Sequence, residues 1–98
     1  MEMETVSNWD PAEFIDTKED VIAHLEVALE DGDTKYLLKI MDAIARSEGM
    51  SQIARELGVT REGLYKSLSQ DGNPSFETVI KLLDILGFHL KIEQKVSA

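Results

Sequence analysis

The chain has 98 residues, 43% of them apolar, no cysteine and a formal net charge of −9. This length suits one domain with a modest core. The lack of cysteine excludes disulfides and fits a reducing compartment, and no apolar run reaches the 18 or so residues that span a bilayer. The N-terminus, MEMETVSNWD, has neither the basic region nor the apolar stretch of a secretory signal, so a soluble, cytoplasmic protein is expected.

The charge is unevenly placed. Residues 1–33 carry eleven of the nineteen acidic residues and only Lys18 among the bases, while residues 34–98 hold nine Lys or Arg against eight Asp or Glu. The acidic excess belongs to one end, and the rest of the chain is close to neutral. Acidic bulk repels nucleic acid at long range, yet a local basic surface on the neutral part can still meet phosphates. The acidic end itself reads as a solubility device.

In chain order, residues 1–16 show no period. They form an N-terminal arm in which Trp9, Phe14 and Ile15 are the candidate anchors for a protein partner. Thr17 followed by Asp20 reads as a helix cap, with Val21, Ile22, Leu25 and Leu29 as the apolar stripe behind it. Gly32 ends that helix and Asp33 caps a second, whose stripe is Leu37, Ile40, Met41 and Ile44 and whose last turn holds Arg46. After Gly49 a short helix is expected over about Ser51–Leu57, with Ile53, Ala54 and Leu57 inward. Gly58 makes the turn, and Thr60 caps a helix from Arg61 to about Ser69 that is buried through Leu64 and Leu68. QDGNPS is a loop by composition. A last helix spans about Phe76–Leu86 with Phe76, Val79, Ile80, Leu83 and Leu86 on one side.

Beyond Gly87, Phe88, Leu90 and Ile92 alternate with polar residues, the period of a half-exposed strand. A lone strand leaves its backbone groups unpaired. The economical remedy is the same strand of a second copy across a two-fold axis, and pairing with the N-terminal arm is the alternative. The organisation is therefore arm 1–16, helical domain 17–87, dimerisation strand 88–93 and tail 94–98, a mainly α class with a short C-terminal β-strand.

SQIARELGVTREGLYKSL has helix-turn-helix spacing: Ala54 is small where two helices cross, Gly58 follows in the turn, and Leu64 anchors the second helix. On that helix Arg61 can donate twice to guanine, Glu62 can accept from cytosine, and Tyr65 can touch sugar, base or a thymine methyl. Thr60 stands at its front, and Lys66 and Ser69 suit the flanking backbone. Gln52 and Arg55 on the preceding helix suit phosphates, with Gln70, Asn73 and Ser75 as further backbone candidates. Arg61–Tyr65 and Glu62–Lys66 are equally four-apart pairs that support any exposed helix.

Two phrases, ARSEGMSQIARELGVTREGLYKSLS and GNPSFETVIKLLDILGFHLKI, resemble the antidote proteins of addiction modules, small antitoxins of the lambda-repressor-like, or Xre-type, helix-turn-helix superfamily. The resemblance runs from about Asp20 to Lys91. It implies a five-helix lambda-repressor-like domain, a homodimer, binding of double-stranded operator DNA at the module's own promoter, and a cognate toxin of the small, basic, ribonuclease-like class. It places the DNA-reading helix at residues 61–68. The broader superfamily often opens the first helix of the pair with Thr-Gln. Here Gly49 and Met50 stand at those positions, which leaves the phosphate contact to Ser51 or Gln52. The resemblance also matches the acidic residues 1–33 to a basic toxin.

An enzyme is not expected. His24 and His89 sit in no catalytic or metal-binding motif, there is no cysteine to complete a zinc set, and no pair of carboxylates is singled out by spacing. No cofactor is expected either.

Overall fold

Side-chain caps set the frame of the fold. In the computed structural model, which describes residues 17–96, Thr17, Asp33, Thr60 and Ser75 each accept a backbone N–H from three residues on. Caps of this kind are worth about 1 kcal/mol each. They open α1 (Lys18–Asp31), α2 (Thr34–Glu48), α4 (Arg61–Ser67) and α5 (Phe76–Ile85), while α3 (Met50–Leu57) starts at Gly49 without a side-chain cap. The described residues are thus mainly α, with five helices.

The short α3 is the hub, packing against α2, α4 and α5, while α1 lies against α2. Ile53 and Ala54 of α3 meet a core whose most enclosed side chains are Ile40, Met41, Leu64 and Leu82. Ala54 is buried, as a close helix crossing requires. Gly58, at φ +80°, turns the chain out of α3, and Val59 N–H donates back to the Ala54 carbonyl at 3.0 Å. Only glycine adopts that conformation without strain. Three residues, Gly58 to Thr60, therefore link α3 to α4.

Three expectations need correction. Met50 lies inside α3, one position before the expected start at Ser51, and is buried, so it packs the core. In α5 the inward stripe is Val79, Leu82, Leu83 and Leu86, turned from the expected one, and Phe76 is 74% exposed. The apolar run in α5 satisfies both stripes, and its last turns are the ones that reach the core. In α1, Ile22 and Leu29 are exposed, and Val21, Leu25 and Ala28 are the buried set.

The C-terminal segment also differs. Phe88 N–H donates to the Leu83 carbonyl at 2.8 Å, and Phe88 and Leu90 pack against the core as the alternation requires. Among the described residues, however, 88–96 form no strand. A strand exists only through a hydrogen-bonded neighbour. Ile92 continues the alternation but is 97% exposed. The N-terminal arm, with Trp9, Phe14 and Ile15, lies outside the described residues, as do residues 97 and 98.

Candidate nucleic-acid interface

The α3–α4 pair divides its residues by exposure, with Val59 in the turn an exposed apolar exception. Ile53, Ala54, Leu64 and Leu68 are buried, whereas Gln52, Arg55, Thr60, Arg61, Glu62, Tyr65, Lys66 and Ser69 are all exposed. The candidate residues read from the sequence thus form the polar face of a unit held from behind by leucines.

Arg61 and Tyr65 are brought together. The Arg61 Nη2 group donates to Tyr65 Oη at 3.4 Å, and its guanidinium carbon lies 5.4 Å from the ring centroid. This is the geometry of a weak cation–π contact. It restrains the arginine and leaves most of its five donors available. Thr60 Oγ1 accepts from Gly63 N–H at 2.9 Å, so its acceptor is committed to the cap while its hydroxyl proton remains to donate. Glu62 lies in the first turn of α4, where a carboxylate complements the exposed N–H groups.

Other candidates are partly engaged. Gln52 Nε2 donates to Glu56 Oε2 at 3.3 Å. A phosphate would have to compete with that carboxylate or use the second amide hydrogen. The Ser69 hydroxyl donates to the Lys66 carbonyl at 2.7 Å, which closes the end of α4 and removes its proton from outward donation. Ser75 acts as the α5 cap, with Oγ accepting from Thr78 N–H at 3.1 Å. Arg55 and Lys66 stay exposed. Gly72 folds the loop back against α4: a Cβ there would overlap the Ser67 carbonyl, so this position tolerates no side chain.

A feature not foreseen from the sequence adjoins this face. The start of α2 and the segment after α4 enclose a cleft of about 480 Å³, with Lys35 and Lys39 on one wall and Leu68, Ser69 and Gln70 on the other. Tyr36 forms its floor beside Asp33 and Asp42. Burial first, and the Asp33 carboxylate second, push the Tyr36 phenol above its ordinary value, and it is hydrogen-bonded to His24 Nδ1 at 2.6 Å. The four-residue spacing of Lys35 and Lys39 was visible in the sequence. Their apposition to the loop after α4 was not, because it depends on how α2 packs.

Among the described residues no helix is long and apolar enough to cross a membrane, and no group of His, Cys, Asp or Glu side chains is gathered as a metal site.

A family model described as "Probable addiction module antidote protein" matches residues 5–94. The chain is 38% identical over 91 residues to an uncharacterized protein of Haemophilus influenzae, a match that covers 93% of this chain and 94% of that one. No solved structure matches.

Proposed function

The chain belongs to the addiction-module antidote family, which implies a toxin partner, and from that premise we propose that it is a DNA-binding antitoxin that also represses its own operon. In this reading the protein works by binding and not by catalysis. α3 and α4 act as a helix-turn-helix of the Xre, lambda-repressor-like type. The observation that carries the reading is the α4 face: Arg61, Glu62, Tyr65 and Lys66 are exposed on a helix whose Leu64 is 1% exposed. Arg61 reads a guanine edge, Tyr65 supports it, and Lys66 and Arg55 hold the phosphates.

Two copies joined through residues 88–93 would set two α4 helices in successive major grooves of an inverted repeat, with half-sites about 34 Å apart. Ile92, exposed beside the packed Phe88 and Leu90, supports this use of the segment. Repression then follows from occlusion of polymerase. The cognate toxin, of the small, basic, ribonuclease-like class, is bound through the acidic residues 1–33, where α1 adds exposed Ile22, Val27 and Leu29 to its carboxylates.

The test is binding to the gene's own promoter, for the native protein and for Arg61→Ala with Lys66→Ala. The native protein should prefer the promoter over scrambled DNA, and the double variant should lose about 1–3 kcal/mol of that preference. Equal affinity for both DNAs, unchanged by the substitutions and insensitive to salt, would sink the reading.

A further inference from the structure

We propose that the cleft between α2 and the loop after α4 is a second contact for the DNA backbone, in which Lys35 and Lys39 grip a phosphate bordering the groove that α4 enters. The proposal rests on the DNA-binding reading of α4 and adds to it a helix outside the α3–α4 pair.

Position comes first. α4 has seven residues, about 10 Å of helix at 1.5 Å per residue, against a major groove about 12 Å wide. A helix this short, entering with Thr60 and Arg61 in front, brings its rear end out near the sugar-phosphate edge. That rear end is Leu68, Ser69 and Gln70, one wall of the cleft, and the opposite wall carries Lys35 and Lys39. A phosphate drawn up to the loop therefore meets two ammonium groups from another helix.

Charge comes second. The cleft also holds Asp33 and Asp42, but each carboxylate has a partner. Asp33 Oδ1 accepts from Tyr36 N–H at 3.0 Å, and Asp42 Oδ2 is paired with Arg46 Nε at 3.0 Å. Both lysines are exposed. The lining holds two lysines and two aspartates, and Arg46 beside the cleft offsets one of those aspartates.

Rigidity comes third. The loop wall is fixed by the Ser69 hydroxyl on the Lys66 carbonyl and by Gly72 N–H donating to the Ser69 carbonyl at 2.8 Å. The α2 wall is fixed by its Asp33 cap. A pre-formed cleft loses little freedom when it closes on a ligand.

The experiment measures affinity for the promoter and for scrambled DNA of equal length, between about 50 and 200 mM salt. It compares the native protein with Lys35→Gln plus Lys39→Gln, and with Lys81→Gln as a control on α5, where Lys81 pairs with Glu77. The double variant should weaken both DNAs by a similar factor and make the slope of log K against log salt shallower by about one to two. Lys81→Gln should leave the slope unchanged. If the native protein binds the promoter and the double variant keeps the native slope, the cleft assignment is wrong and the reading of α4 stands. An equal loss in the Lys81 control would mean that net charge, not this cleft, is responsible, and would overturn it too. Loss on the promoter alone would show base reading instead of a backbone grip. Absence of salt-dependent binding by the native protein would remove both proposals together.

Discussion

The α3–α4 unit and α1 use their apolar residues in opposite ways. In the first, the leucines and alanines at helical spacing face inward: Ala54, Leu64 and Leu68 are buried, and apart from Val59 in the turn and Tyr65 the outer face is polar. α1 is twice as long as α4, yet it buries only Val21, Leu25 and Ala28 and leaves Ile22, Val27 and Leu29 between 43% and 50% exposed. One region is built to hold charged side chains in fixed positions. The other keeps apolar surface among carboxylates, a mixture suited to another protein and unsuited to a phosphate backbone. The two proposed partners therefore call on different chemistry at different places in one small domain.

The comparison breaks most visibly at Leu64. Truncation by Leu64→Ala should cost about 2–5 kcal/mol in urea unfolding, because the side chain is enclosed and its loss leaves a cavity under α4. Gly58→Ala should cost about 1–2 kcal/mol. A Cβ at Gly58 meets nothing within 4 Å, so the whole effect is the strain of φ +80° and not a clash. A much larger loss would mean that the turn between α3 and α4 has moved. The smallest effect on stability belongs to α1: Ile22→Ser with Leu29→Ser should change unfolding by about 0.5 kcal/mol or less per site, as for other surface positions. The same variant should bind promoter DNA normally while failing to rescue growth when the cognate toxin is co-expressed. Full rescue would separate α1 from toxin neutralisation.

Much of this division was legible in the residues. Thr17, Asp33 and Thr60 cap the helices read for them, because a cap is a local event between a side chain and an N–H three residues away. The exposed face of α4 was legible for a similar reason, since Leu64 and Leu68 are its only large aliphatic residues and fix its rotation. α5 was harder. Leu82, Leu83, Ile85 and Leu86 make a nearly continuous apolar run, and periodicity cannot select a face from a run that fits several. Met50 carries no local signal of burial at a helix start, and its place in the core follows from the packing of α3. The cleft beside Ser69 joins residues more than thirty positions apart, which no local pattern encodes.

Gly72 bears on any attempt to retarget the protein. Its Cα backs onto the Ser67 carbonyl, so the loop is locked to the last turn of α4 by contact between backbones. A library that randomises the exposed positions of α4 can leave the scaffold's register intact, provided position 72 is held constant. Variation there would force the loop off the last turn of α4 and obscure the effect of every other substitution in the set.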